Sequence, residues 1–520
     1  MPLNVVQQGV ASVQSLPAPV GGWNARDSWA NMEPTDAVVL ENLFPTVSNV
    51  VMRGGYDQYA TGLGGKVQTL MAYSAANSQY LYAIAATTNA VYDVTSPGAV
   101  GAAKVTGLSN AIWEYINVTT AGGHYLYAVN GVDKPILYDG TTWLRVDGSS
   151  TIAVTGVTTT SLSNITLFKN RVWFIEKNTL KAWYLPTGSV GGAAQVLDLS
   201  AVAKYGGHLV DLDTWTIDAG YGVDDNLVFV TSTGEVIVYR GTDPSSAATW
   251  ALAGIWKLGS PIGNRCMLKY GGDLLLLTYD GLLPLAQSLQ SSRLDPRVAL
   301  SNKIQGAIAN ATTLYGGNHA AVGWQITYTA KNNAVWINVP VADDQQEQYV
   351  MNTITQSWCN FTGWGAYCWE IFNDDPYFGG NGFVGQAWTT DYVDNQSNIV
   401  TNAIQAFNYF DSRGVKKYFT RARPTIFTNG TPSILMSMNV DFDLTSTQAP
   451  IALPSVTAGT WGTGTWDSSL WGQDLAVSNN WQGITGIGYC GGLQFKSSSA
   501  GVQIQWTSTD VVFQTGWAGI

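Results

Sequence analysis

Between residues 66 and 395 the chain alternates short apolar runs with polar turns at a recurring spacing. The clearest copy runs from Asp225 to Arg240, DNLVFVTSTGEVIVYR, where two runs of β-branched and alternating apolar residues flank a polar turn at Thr233-Gly234. Alternation with period 2 marks a strand, and glycine supplies the torsions of a tight turn, so this segment predicts an antiparallel hairpin. Degenerate copies begin near Tyr80, Tyr125, Arg171, Leu227, Leu274, Val335 and Tyr377, giving steps of 45, 46, 56, 47, 61 and 42 residues. Repeats of about 40–50 residues built from short strands are the mark of propeller blades. One four-stranded blade cannot cover both of its apolar faces; packed radially, each blade covers the next and only short edges remain. A solenoid of sheets is the competing arrangement. The seven copies and their aromatic strand starts favour a closed ring, so the expected fold is all-β, a β-propeller of six to seven blades.

Helical periodicity is rare. EPTDAVVLENLFP predicts a short helix over 34–44: Pro34 suits the first helical position, Asp36 complements the N-terminus, and Ala37, Leu40, Glu41 and Phe44 share a face. Pro45 would end it. The longer DPRVALSNKIQGAIANA predicts a helix over 296–312, with Asp295 as cap, Pro296 in the first turn and an apolar face of Leu300, Ile304, Ala307, Ile308 and Ala311. This insertion accounts for the 61-residue step. Its expected place is the propeller's side, with a subunit contact as the sharper alternative. Residues 1–33 read as extended. The stretch 457–482 is rich in Gly and Trp and spaces Trp461, Trp466 and Trp471 five apart; it reads as a self-packed loop or as a docking surface.

Composition narrows the class. Charged residues are 12% of 520, about half the usual share, beside 56 Gly, 21 Trp and 25 Tyr. That balance suits a rigid β-rich extracellular or virion protein better than a cytosolic enzyme. The net charge of −11 argues against a general nucleic-acid binder. Cys266, Cys359, Cys368 and Cys490 form no CxxC pair and read as buried free thiols. The N-terminus lacks a basic n-region and a continuous apolar core, and no run of 18 apolar residues occurs, so neither a secretory signal nor a membrane anchor is expected.

A series of weak motifs comes in a telling order. Gly21-Gly22-Trp23-Asn24 is followed by Glu41-Asn42-Leu43-Phe44-Pro45, then by Met52-Arg53-Gly54-Gly55-Tyr56; later come KKYFTRARPTIFT, ILMSMNVDFD and the ending SAGVQIQWTSTDVVFQTGWAGI. This series resembles the tail hub and nozzle proteins of short-tailed bacteriophages, also described as packaged-DNA stabilisation proteins. The resemblance is best over 20–60 and looser elsewhere. It implies a propeller (66–395) on a smaller β-rich platform made from both chain ends (1–65 and 396–520). It further implies a structural virion protein, made in the host cytoplasm, that forms a homo-hexameric ring beneath the adaptor and portal. Such a ring would contact tail fibres or tail-tip components, close the DNA exit after packaging and conduct duplex DNA during ejection without binding it specifically. Arg53, Arg421 and Arg423 lie in strand-like runs of the expected platform, as fold salt bridges or as contacts to neighbouring subunits. Trp23, Asn24, Asn42 and Pro45 are structural or interface candidates on the same grounds.

Candidate chemistry is sparse, and no catalytic, cofactor or metal residues are assigned. His124, His208 and His319 are isolated, and no GxSxG elbow is present. The acidic pairs Asp224-Asp225, Asp343-Asp344 and Asp374-Asp375 read as solvated turns. Asp211 with Asp213, and Asp441 with Asp443, would share a strand face and could hold a divalent cation, the plainer reading being none. YDGTTW (Tyr138–Trp143) is reminiscent of a sialidase Asp box but lacks its Ser-x-Asp-x-Gly spacing. TGLGGK (Thr61–Lys66) is too short for a phosphate loop and reads as a turn. The alternatives to a noncatalytic tail hub are a glycan-binding or glycan-cleaving propeller acting as a receptor-binding tail component, and another virion ring component of similar fold.

Overall fold

A computed structural model describes residues 11–218, 223–290, 296–316, 323–342, 344–444 and 475–515. The chain forms two compact units: a larger one of Gln58–Glu347 with Gly365–Gln386, and a smaller one of Met1–Asp57, Gln348–Trp364 and Ala387–Ile520.

The larger unit is a β-propeller whose sheets follow the seven copies in chain order. Three are complete four-stranded meanders: Glu114–Thr120 to Trp143–Arg145, Leu162–Phe168 to Gln195–Asp198, and Leu209–Asp218 to Trp250–Lys257. In the copy first recognised, Val223–Thr231 pairs with Glu235–Gly241 through Val228↔Val238. A three-stranded sheet from Met267–Tyr270 to Gly281–Pro284 follows, then Gln325–Thr329 with Ala334–Ala342. Apolar clusters fill the gaps between successive sheets. Met71, Tyr82 and Ile84 of the first copy pack on Trp113, Leu126 and Ile136 of the second. Tyr127 and Leu137 pack on Ile165 and Phe174. Trp173 and Tyr184 pack on Phe229 and Tyr239. The ring closes where Leu63, Val67 and Leu81 of the first copy meet Cys368, Tyr377 and Val384 of the last, with the Val67 N–H donating to Gly380 O at 3.0 Å. At these four junctions one blade covers the next, the burial that a lone sheet cannot achieve.

TGLGGK does not turn back. It lies inside the long strand Gly55–Ala75, where Gly62 and Gly65 take φ of +84° and +78°. The bend passes the strand on from Gly98–Ala99, its partner at Ala60–Thr61, to Ser78–Ala85, its partner from Val67 onward.

The smaller unit holds two sheets. One orders Asp36–Glu41, Ile399–Gln405, Gly491–Ser499 and Ile434–Val440 side by side, with Trp358–Phe361 beyond Asp36–Glu41. The other centres on Lys417–Thr428 paired with Ile504–Thr515. Phe495 of the first stacks on Trp506 of the second, centroids 4.8 Å apart.

The helix expected over 34–44 is absent. Asp36–Glu41 and Leu43–Pro45 are strands. Asp36, Ala37, Val38 and Leu40 are all buried, on both sides of the backbone, so the apolar run reads as a central strand, and β-branched Val38-Val39 favours that state. Asn42 at φ +55° makes the break that Pro45 suggested. The second helix is shorter than expected. The α-helix spans Gln305–Tyr315, preceded by 3-10 turns at Pro296–Val298 and Asn302–Ile304. Ile308, Ala311 and Thr312 are its buried residues, with Ile304 buried in the turn before it, while the expected cap Asp295 lies outside the described residues. All four cysteines are buried and unbridged. No helix among the described residues is long and apolar enough to cross a membrane.

Candidate functional site

The first strand of each blade faces the propeller axis, and together these strands line a cavity of about 700 Å³. Glu114, Asn164, Asp211, Arg265, Gln325 and Glu370 come to its wall from six different copies or the loops leading into them. Inner edges of sheets carry backbone groups with no strand to pair with. Here side-chain amides bridge them. Gln325 Nε2 donates to Trp369 O at 2.8 Å, and Gln325 Oε1 accepts from Trp369 N at 2.9 Å. Asn117 Nδ2 donates to Ala72 O at 2.8 Å, and Asn164 Nδ2 to Val210 O at 3.4 Å as well as to the Asp211 carboxylate at 2.7 Å.

Arg265 reaches furthest. Its guanidinium donates to Glu114 Oε1 at 3.0 Å, Trp113 O at 2.8 Å, Thr69 Oγ1 at 3.1 Å and Gln68 O at 3.3 Å. Arg265 leads into the fifth blade, while these acceptors belong to the first and second, so the side chain lies across the axis. Lys269 pairs with Asp213 at 2.9 Å. Among the described residues Asp211 and Glu370 have no ion-pair partner: Asp211 accepts from Asn164, Leu212 N and the Cys266 thiol, and Glu370 accepts from Tyr115 and Ile371 N. Burial pushes Glu370 up to about 7, and pushes Asp211 and Glu114 upward as well, for Glu114 against the pull of Arg265.

The sign of the consequence is fixed. A carboxyl raised above its ordinary 4.5 holds its proton longer in the folded state. Its stabilising contribution is complete below 4.5 and is lost as pH rises to about 7. Glu370→Gln is therefore expected to flatten the fall of propeller melting temperature between pH 4.5 and 7. Identical pH profiles for the wild type and variant would contradict the assignment.

Asp211 and Asp213 share the strand Leu209–Asp218, as expected, but they bind neighbouring side chains. Asp441 and Asp443 do not share a strand. Asp441 sits in a turn at φ +49° and accepts from Tyr489 N and Cys490 N. No group of three or more His, Cys, Asp or Glu that could hold a metal occurs among the described residues. Of the acidic pairs, Asp224-Asp225 lies on a strand and not in a loop, because its hairpin is longer than its apolar run; Asp225 pairs with Lys169 at 2.6 Å. Asp374 is in a turn, Asp375 opens a strand and pairs with Lys331, and Asp344 pairs with Lys66. Asp343 and His319 are outside the described residues. In YDGTTW, Asp139 accepts from Thr141 N and Thr142 N, an Asx turn closing a hairpin. His124 Nδ1 sits 2.9 Å from Thr119 Oγ1.

The signature residues of the smaller unit converge on two buried nodes. Asn24 donates to Asp36 at 2.7 Å and accepts from Arg26 N and Asp27 N. Trp23, next to it, packs edge-on to Tyr349. The second node joins Asn42 and Arg53. Arg53 is 1% exposed and uses all five donors: Asn42 Oδ1, Gly54 O, Thr362 O and both oxygens of Asp394, at 2.6–2.9 Å. Its guanidinium also lies 4.7 Å from the Trp364 ring. Pro45 is buried, its carbonyl accepting from Asn352. The glycines follow from close approach: a Cβ at Gly55 would stand 1.9 Å from Val393 O, and one at Gly22 2.6 Å from Trp358 O. Arg53 thus cannot reach another molecule. Arg421 is exposed on Lys417–Thr428, and Arg423 pairs with Asp510 at 2.6 Å. Trp461, Trp466 and Trp471 lie outside the described residues.

No family model and no curated protein matches the chain. Among solved structures, it is similar to the β-propeller domain of Cps50 (Swd1) from Myceliophteria thermophila, at 14% identity over 64% of this chain and 98% of that one, TM-score 0.39. It is similar to BBS1N in complex with ARL6DN at 7% identity over 66% and 98%, TM-score 0.40. A putative 6-phosphogluconolactonase from Bacteroides fragilis matches at 13% identity over 65% and 89%, TM-score 0.35. At these values the likenesses carry no functional argument, and the blade architecture rests on the sheets and clusters described above.

Proposed function

We propose that this chain is a noncatalytic structural virion protein, the tail hub or nozzle subunit of a short-tailed bacteriophage. The observation that supports it best is the N-terminal signature. Gly22, Asn24, Asn42, Arg53 and Gly55 are among the residues the resemblance rests on, and each is held by burial, hydrogen bonding or close backbone approach. The resemblance therefore rests on residues that determine the architecture. The closed propeller axis fits the same reading. Arg265 bars the cavity, so a path for duplex DNA has to lie along the axis of a ring of copies. Head-to-tail contacts close into such a ring when the rotation fits. Few cations and a net charge of −11 keep phosphate contacts, and so retention of sliding DNA, low. Adaptor, portal and fibres are the partners of this proposal.

The test is assembly of particles without the chain. They are expected to leak packaged DNA and to lack the distal tail. Particles that keep their DNA and show a complete tail would refute the proposal. The second reading, a glycan-binding or glycan-cleaving propeller, draws on the carboxylates around the axial cavity. Release of sugar from host polysaccharide by the purified protein, abolished by Glu370→Gln or Asp211→Asn, would favour it instead.

A further inference from the structure

We propose that the outer face of the sheet built on Lys417–Thr428 is the docking surface for a second copy of this chain. The inference rests on the ring reading above and names one of its contact surfaces. The inner face of this sheet is buried through Phe419, Ala422, Ile426, Val511 and Phe513. The outer face is set by register, because cross-strand partners share a side. Tyr418 lies between Ile487 and Gln514. Arg421 lies beside Val512, which in turn faces Val13. Val13 is 63% exposed, Ile487 46%, Trp481 42% and Tyr489 42%. Two cations are set on these rings: Arg423 is 4.8 Å from the centroid of Trp481, and Lys416 is 5.6 Å from that of Tyr489. Exposed aromatic rings, arginine and aliphatic side chains together are the composition of a protein–protein contact. Val13 and Ile487 offer nothing to a phosphate backbone, which favours a protein partner over nucleic acid.

Charge selects the partner. Residues 413–423 contain Arg413, Lys416, Lys417, Arg421 and Arg423, five of the chain's 25 basic residues, and no acidic residue lies between Asp411 and Asp441. Lys417 is buried, its ammonium donating to the carbonyls of Val415 and Tyr489. Of the other four, all at the surface, Arg423 is already paired with Asp510 of the same sheet, so Arg413, Lys416 and Arg421 are the charges offered to a partner. Without these three cations the net charge of −11 becomes −14, so an acidic surface complementary to them is found on another copy. A basic face meeting a different, acidic face is a heterologous contact, the kind that builds rings.

Native mass spectrometry of the full chain tests this, with wild type compared to Arg421→Glu/Ile487→Asp, to Val13→Asp alone and to Arg421→Lys. Wild type and Arg421→Lys are expected to assemble. The double variant is expected to need about tenfold more protein for half-association, a loss of about 1.4 kcal/mol, with unchanged circular dichroism and melting. Should the double variant misfold, Val13→Asp carries the test with the same expectation. Folded variants that assemble like wild type would overturn this surface and leave the ring reading standing. A wild type that stays monomeric at every concentration would overturn the ring reading itself. Unchanged self-association with loss of duplex-DNA binding would assign the face to nucleic acid and overturn the inference.

Discussion

Arg53→Ala is expected to destabilise the smaller unit by about 3–5 kcal/mol, the usual cost of breaking a buried ion pair from one side. The guanidinium is 1% exposed and fills five acceptor positions. Its removal leaves Asp394, Thr362 O and Asn42 Oδ1 short of donors in the interior. Asn42 suffers twice, because its left-handed backbone is kept in place by the same cluster. Arg53→Lys should recover little: a single ammonium cannot reproduce the planar fork that grips both oxygens of Asp394. Scanning calorimetry reads the outcome as a fall on the order of 10 °C in the transition of this unit. A fall of one or two degrees would show that the node is not what holds the signature residues together.

Arg265→Ala is expected to cost the propeller a similar amount, about 3–5 kcal/mol. The side chain ties the loop before the fifth blade to Gln68, Thr69, Trp113 and Glu114 on the opposite side of the ring. Its loss also strands Glu114, whose carboxyl is raised by burial and held down by Arg265. The double variant Glu114→Gln/Arg265→Met removes both charges and should recover a good part of the loss, since a buried pair replaced as a whole costs far less than one broken. The two variants therefore separate an unpaired charge from lost packing. Equal destabilisation in both would mean that Arg265 acts through its bulk.

The blades were legible because their signal is repetition. Seven copies of an apolar hairpin survive degeneracy in any one of them, and the sheets of the larger unit follow those copies in order. The run DAVVLENLFP misled for a physical reason. A strand buried on both faces loses its alternation, and a continuous apolar stretch flanked by prolines looks the same as a short helix. The helical period held only from Gln305 onward, where Ile308 and Ala311 are buried as the pattern put them, while Leu300 lies in a turn before the helix. The axial groups were harder to see. Glu114 in IWEYINV, Arg265 and Lys269 in NRCMLKY and Glu370 in CWEIF each interrupt an apolar run of a chain with 12% charged residues. That interruption, recurring at the first strand of a copy, was the available signal. What no local pattern could show is that separate copies aim these groups at one axis. The same holds for Arg53, whose partner Asp394 is 341 positions away.

Electron cryo-microscopy of the purified full-length chain tests the central claim most directly. A ring of six copies around an open channel wide enough for duplex DNA, with each propeller's own axis closed by Arg265, is the predicted result. A monomer, or an assembly with no continuous channel, would contradict the account.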